Sequence, residues 1–327
     1  MSDRRPLGFL QVDVDGLWAV RACYGKPERD SFVHDPCWSE GVARLDRVFA
    51  KVGSPAAFFI VGRDLEVATK ADRTRQLLSS GYELANHSYT HRIGLTLRPY
   101  GEILDELKQT DTALRRLGAD PVGFRAPGYD LDARVLRAVR QLGYWYDASM
   151  LPTYLGPLLR LADAWLSRGW NPSKRQFGRF AYGRAPRAPY FPLDYKVRKP
   201  SSDSARSTVL ELPVGTTPTL HLPLTAASLF PMDRGGLRRL FERLASKRRP
   251  CLLLLHAIDG VDCTRPIVFD NRRPALGGFN LSGEAKERRL RRIVEEFSRV
   301  FRVVPARDFA RIARHQGTAR PSLEALR

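Results

Sequence analysis

The chain has 327 residues and is 43% hydrophobic, enough for one large or two small domains with a sizeable packed core. Its 54 lysines and arginines against 35 acidic residues leave a formal charge of +19, which points to a polyanionic partner: nucleic acid, an anionic membrane surface or a phosphorylated substrate. The longest greasy run, Cys251 to Leu255, falls far short of the roughly 18 apolar residues of a spanning helix, so a bilayer-crossing segment is excluded.

The chain opens Met-Ser-Asp-Arg-Arg-Pro and passes straight into an apolar strand, which leaves no room for an export signal and sets the expectation of a cytoplasmic protein. Short runs rich in Val, Ile and Phe then alternate with stretches of helical period, the pattern of β/α units around a mostly parallel sheet. In chain order the pattern predicts a strand at Leu7 to Val14, a helix at Glu40 to Val52, and strands at Ala56 to Val61 and Tyr82 to Asn86. A helix at Tyr100 to Leu117, a strand at Val122 to Arg125, a helix at Asp132 to Leu142 and a strand at Trp145 to Ala148 follow. After an interruption come a strand at Val209 to Val214, a helix at Gly236 to Ser246, a strand at Cys251 to Ile258, a helix at Gly283 to Val300 and a strand at Phe301 to Pro305.

The interruption, Leu151 to Ser207, is read as an insertion in a single catalytic domain spanning residues 1–317. It shows no clear strand, has six prolines between Pro152 and Pro192, and carries 11 Lys/Arg against 3 Asp. Its greasy stretch with Trp165 and Trp170, flanked by Arg160 and Arg168, has the composition of a helix lying in a membrane interface. The plainer reading is a helix that covers the core. The tail beyond Gly317 is expected to be disordered. The run Lys286 to Arg292 reads as the solvated face of its helix. Cys23, Cys37, Cys251 and Cys263 form no CxxC pair, so free thiols are expected.

Chemistry-bearing residues recur at predicted strand ends. Val12-Asp13-Val14-Asp15-Gly16 ends the first strand with two carboxylates, which an apolar setting tolerates only beside a cation or other partner. The pair alone is weak, because strand-end aspartates also cap helices. His87-Ser88-Tyr89-Thr90-His91 follows the third strand, and on a helical turn that spacing would set both imidazoles on one face, within reach of one cation. Two histidines and one aspartate leave positions open for water and substrate, the pattern of a catalytic metal site. Phe124-Arg125-Ala126-Pro127-Gly128-Tyr129 and Tyr146-Asp147-Ala148-Ser149 end the next two strands. An arginine there can hold a carboxylate ionised, and a glycine frees a backbone N–H to face an oxyanion, although Arg125 alone reads as a solvated charge. His256 ends the run Leu252 to Leu255; it suits proton transfer at neutral pH, but a lone histidine after an apolar run is more often a core residue.

Taken in order, Asp-x-Asp-Gly, HxxxH, Arg-x-Pro, Tyr-Asp and Leu-x-His resemble the polysaccharide deacetylase family, also called NodB-homology or carbohydrate esterase family 4. The resemblance runs from about Gly8 to Ala306. It implies a distorted (β/α) barrel of about seven strands. It also implies a divalent metal on Asp15, His87 and His91: zinc, with cobalt, nickel or manganese as alternatives. Asp13 would be the general base, oriented by Arg125. Gly128 and Tyr129 would serve the oxyanion and substrate, His256 would protonate the leaving amine, and Asp147 would tune His256. Two departures stand out: a valine separates the two acids, and the usual Arg-Pro-Pro-Tyr is Arg-Ala-Pro-Gly-Tyr. The Asp-x-Asp form is similar to a branch acting on lipid-linked sugars, notably the deformylase of formamido-arabinose carried on undecaprenyl phosphate.

A cytoplasmic member needs an N-acylated amino sugar found inside the cell, and a lipid-phosphate carrier at the inner face of the membrane supplies one; the positive charge fits that anionic surface. The expected protein is therefore a carbohydrate N-deacylase, peripheral on the membrane. The rival readings are an allantoinase-like small-molecule amidase with the same metal chemistry, a catalytically dead sugar-binding relative, and a basic nucleic-acid-binding protein. No zinc knuckle, helix-turn-helix or RNP-like pattern supports the last, and no nucleic-acid partner is expected.

Overall fold

The computed structural model describes residues 3–23, 29–158, 179–193, 196–201, 209–265 and 281–319. Its strands are β1 (Leu7–Val14), β2 (Ala57–Ile60), β3 (Glu83–Asn86), β4 (Gly123–Phe124), β5 (Tyr146–Asp147), β6 (Pro192–Leu193), β7 (Lys196–Pro200), β8 (Leu210–Glu211), β9 (Cys251–His256) and β10 (Arg302–Val303). All eight residues of β1 are buried, as in a parallel strand covered on both faces. Residues 8–13 of β1 pair with β9, while β2 pairs with residues 11–14 and β10 with residues 7–8. β9 therefore takes one edge of β1, and β2 and β10 share the other. The main run is β9-β1-β2-β3-β4-β5-β8, seven strands, every pair parallel.

This run curls until its ends approach. Beyond β8 the Gly215 N–H donates to the Leu252 carbonyl at 2.9 Å, and the Leu254 N–H donates to Leu224 at 3.0 Å. The hairpin between them, closed by a Thr216–Pro223 bridge, fills the gap between β8 and β9. Only glycine allows that approach, because a Cβ at Gly215 would lie 2.5 Å from the Leu252 oxygen. The result is a curled half-barrel, the distorted (β/α) barrel expected from the sequence.

The period of two along β1 sorts its side chains. Leu10, Val12 and Val14 join the outer core, where the sheet packs against α2 (Ala43–Val52), α7 (Arg234–Ala245) and α8 (Gly283–Val300). Leu7 and Phe9 turn inward with Phe59, Tyr146, Leu252 and Leu254. There they meet Phe309, Ala310 and Ala313 of α9 (Ala306–His315), whose Phe309 ring lies 5.1 Å from that of Phe9. Gln11 and Asp13 continue the inward series, which carries a carboxylate into the mouth of the barrel.

The remaining helices are α1 (Leu17–Cys23), α3 (Ala68–Ser79), α4 (Tyr100–Arg116), α5 (Ala133–Gln141) and α6 (Ala226–Leu229). Their ends follow local rules: the Asp132 carboxylate caps α5 by accepting from Arg134 and Val135, and Gly53, at φ 68°, ends α2 in the left-handed conformation.

The insertion is not strandless, because β6 and β7 pair as an antiparallel hairpin. Lys286 is not solvated: it is fully buried, and its Nζ donates to the Ile258 carbonyl at 3.0 Å and to Cys263 Sγ at 3.2 Å. That position on α8 packs against the turn after β9, so its charge is held by a carbonyl rather than by water. Trp165 and Trp170 lie outside the described residues, as does the end of the tail. All four cysteines are free thiols. Among the described residues no helix is long and apolar enough to cross a membrane.

Candidate active site

Every strand-end motif of the barrel run opens toward the same end of the sheet, since parallel strands place their C-termini together. Asp13 is 2% exposed, and its Oδ1 accepts from Nη1 of Arg125 at 2.5 Å. Arg125 has no exposed surface. It also donates through Nη2 to Gln11 Oε1 and through Nε to the Ala148 carbonyl at 2.8 Å, and its guanidinium sits 4.4 Å over the Phe59 ring. It is therefore no solvated charge but a buried cation compensated by Asp13. The other Asp13 oxygen, Oδ2, faces the site, 3.9 Å from His87 Nε2 and 3.8 Å from His256 Nε2.

His87 and His91 do converge, but not on a helical turn. Ser88 and His91 have positive φ, 61° and 51°, so the segment is an irregular loop with left-handed kinks. Its backbone is tied down from α4: Glu106 Oε2 accepts from the Tyr89 and Thr90 N–H groups at 3.0 and 2.8 Å, and Oε1 accepts from the Thr90 hydroxyl at 2.6 Å. Nothing in the sequence pattern singled out Glu106, which sits on an ordinary amphipathic helix and acts only through the fold.

Asp15, His87 and His91 offer ligand atoms that all lie within 4.8 Å of one another. Asp15 Oδ1 is 3.2 Å from His87 Nε2 and 3.1 Å from His91 Nε2. His87 Nδ1 lies 2.8 Å from the Arg125 carbonyl, which can only accept, so that nitrogen carries the ring proton. With Nδ1 committed to that carbonyl, Nε2 is the ring atom turned on the Asp15 carboxylate, and the one a cation would share with it. The donor set of two imidazoles and one carboxylate suits zinc and its neighbours. Burial pushes the Asp15 carboxyl up, yet His91 and His87 hold it well below its ordinary range. Burial pushes His91 down, yet Asp15 raises it well above. Cys23, at the end of α1, lies with its Sγ 4.0 Å from His91 Nδ1.

His256 lies 24% exposed at the mouth, with Nε2 3.3 Å from the Tyr129 hydroxyl. Its backbone N–H donates to Asp259 Oδ2 at 2.7 Å, and the same oxygen is 3.8 Å from its Nδ1. Burial alone would push this imidazole down, but Asp259 and Asp13 raise it to about 9, so it keeps its proton at neutral pH. Gly128 sits at φ 64° in the tight turn Pro127–Tyr129 that brings Tyr129 to the site, a conformation glycine adopts without strain.

Asp147 is the exception. It was expected to tune His256, but it accepts from the Ser149 hydroxyl at 2.6 Å, and Ser149 Oγ in turn accepts from the Ala126 N–H at 2.8 Å. Burial pushes its carboxyl up against a hydrogen bond shared with Glu211 of β8, whose own carboxyl burial pushes well up. Asp147 thus braces the loop after β4. Among the described residues the carboxylates beside His256 are Asp259 and Asp13. Asp259 stood in the sequence three residues after His256, at the spacing of a capping side chain, and that was its one local signal.

A family model described as polysaccharide deacetylase matches residues 30–146, a stretch that contains His87, His91 and Arg125 while Asp13, Asp15 and His256 lie outside it. The peptidoglycan deacetylase of Helicobacter pylori is 24% identical over 159 residues, 47% of this chain and 53% of its own. A peptidoglycan deacetylase-like protein of Gibberella zeae is 34% identical over 114 residues, 34% of this chain and 32% of its own. The chain thus spans about half or less of these relatives. A Mycobacterium smegmatis structure assigned to the polysaccharide deacetylases superposes with a TM-score of 0.61 at 16% identity, covering 99% of this chain and 95% of that one; the likeness is one of fold.

Proposed function

We propose that the chain is a metal-dependent hydrolase of the polysaccharide deacetylase family that removes an N-acyl group from an amino sugar. The observation that carries this reading is the meeting of Asp15 Oδ1 with two histidine Nε2 atoms at 3.1 and 3.2 Å, beside a buried Asp13 whose charge is held by Arg125. A divalent cation held by Asp15, His87 and His91 would acidify water and polarise the amide carbonyl.

The chain's own residues supply the proton movements. Asp13 accepts a proton from the attacking water at Oδ2, while Arg125 on Oδ1 keeps the carboxylate aimed. The turn Pro127–Tyr129 sets the Gly128 backbone and the Tyr129 hydroxyl where an oxyanion would develop. As the C–N bond breaks, His256, holding its proton below about pH 9, delivers it to the leaving amine. The products are a free amino sugar and a carboxylate.

The substrate proposed is an N-acetyl or N-formyl sugar on a polyprenyl phosphate. The net charge of +19 and the Asp-x-Asp form of the first motif support an anionic carrier over a finished wall polymer. Metal content and amide hydrolysis, measured together on wild type and His87→Ala, test the reading. Expected are one metal per chain, lost with His87, and deacylation of undecaprenyl-phosphate-linked N-acyl sugars. Turnover of soluble small amides alone would favour the amidase alternative, and a chain that binds no metal would sink the proposal.

A further inference from the structure

The large hydrophobic side chains exposed among the described residues are Val33, Leu97, Tyr154, Leu158, Phe180 and Leu220. All six lie in connections that leave the C-terminal ends of strands: Val33 after β1, Leu97 after β3, three after β5 and Leu220 after β8. Val33 and Leu97 precede the helices that return to the far end, α2 and α4. That is the end where Asp13, Asp15, the histidines and Arg125 gather. Scattered exposed apolar residues are ordinary, but their confinement to one end of a barrel is not.

The connections after β3, β5 and β8 are also tied into one surface. Arg179 Nη2 donates to the Thr96 hydroxyl at 2.9 Å, which joins the turn bearing Phe180 to the turn bearing Leu97. The Phe180 ring lies 5.6 Å from Tyr154, which lies 5.4 Å from His221 beside Leu220. Arg187 Nη2 donates to the carbonyls of Thr216 and Thr217 at 2.8 and 2.9 Å, which holds the hairpin carrying Leu220. Cations stand among the apolar groups: Arg92 and Arg98 are exposed on either side of Leu97, Arg184 is exposed just past Phe180, and Arg179 is half-exposed before it.

We propose that this rim docks on an anionic membrane surface, so that the mouth of the active site opens onto the headgroup layer. Apolar tips that enter the acyl boundary, with arginines level with the phosphates, are what such an interface takes up. The inference rests on the reading of the site as one that acts on a lipid-carried sugar, because only such a substrate requires the mouth to face the bilayer.

Sedimentation with vesicles of mixed phosphatidylglycerol and phosphatidylcholine tests it, with pure phosphatidylcholine as control, on wild type, His87→Ala and the triple variant Leu97→Ser, Phe180→Ser, Leu220→Ser. Expected are binding to the anionic vesicles only, an affinity about tenfold or more lower in the triple variant, and His87→Ala sedimenting like wild type. The three replaced side chains are exposed, so circular dichroism and metal content should not change. A triple variant that sediments like wild type overturns the proposal. So does a chain that binds neither vesicle but forms a dimer which the triple variant loses, an outcome assigning the rim to a second copy. Because vesicle binding is read without turnover, a failure of the catalytic reading shows separately as absent hydrolysis with intact docking.

Discussion

Arg125 and Asp13 hold each other in a place neither would occupy alone. A guanidinium with no exposed surface and a carboxylate at 2% are each too strongly desolvated to stand unpaired, and removing one partner of such a pair leaves an uncompensated buried charge. The pairing leaves Asp13 Oδ2 as the one oxygen turned toward His87 and His256. Asp13→Asn preserves the shape and the hydrogen-bond reach but removes the proposed base and the charge opposite Arg125, so a lower urea midpoint is expected beside the kinetic loss. The variant should keep its metal content and lose about 10² to 10⁴ in kcat, read by metal analysis beside amide hydrolysis. Retained activity would place the base elsewhere. The histidine pair shows how residue identity can be legible when its reason is not: the four-residue spacing suggested a helical face, yet convergence comes from two left-handed residues and Glu106.

Between β1 and β2 the chain must leave Asp15 in place while turning sharply into α1, and a buried cluster performs that turn. Asp35 accepts from the Leu17 and Cys37 N–H groups at 3.0 and 2.9 Å, and Lys70 of α3 donates to Asp35 at 2.9 Å and to Asp64 at 2.5 Å. Asp64 accepts from the Trp18 indole at 2.8 Å. Burial pushes both carboxyls up, Asp35 to about 6, against the pull of Lys70. Lys70→Met would leave two buried carboxylates facing each other. It should destabilise the fold by about 3 to 5 kcal/mol, read as a lower urea midpoint at unchanged slope; a change under about 1 kcal/mol would show that the cluster is solvated in solution. None of this was legible in the sequence, since Asp35, Asp64 and Lys70 stand in no motif and meet only when β1, β2 and α3 pack.

For the molecule as a whole, α9 closes the end of the barrel opposite the site. Glu83, at the start of β3, points inward there, accepts from the Tyr146 hydroxyl at 2.9 Å, and caps α9 by accepting from the Arg307 N–H at 3.0 Å. Burial raises its carboxyl to about 7, against about 4.3 in an unfolded chain. The folded state therefore binds this proton more tightly. Glu83 stabilises the fold below the lower value, and that contribution falls as pH rises through the window and is gone above about 7. Urea unfolding at about pH 5 and about pH 8 should show wild type losing up to about 3 kcal/mol more than Glu83→Gln across that span. The Tyr146 hydroxyl can accept from the new amide. Equal slopes in the two proteins would place the proton elsewhere.

Local chemistry alone determined the strand positions of the barrel run and singled out Asp15, His87 and His91 as candidate metal ligands. A period of two and a run of strand-end motifs are properties of neighbours in the chain, and parallel strands present their ends together whatever the loops do. The tertiary structure decided what depends on distant residues meeting. It joined Ser149, and Asp147 through it, to the Ala126 N–H of the loop after β4 rather than to His256, buried Lys286 against the turn after β9, and plugged the barrel with α9. Side chains on different strands become partners only through the order and stagger of the sheet, and their charges shift only once burial has removed the water that would have screened them.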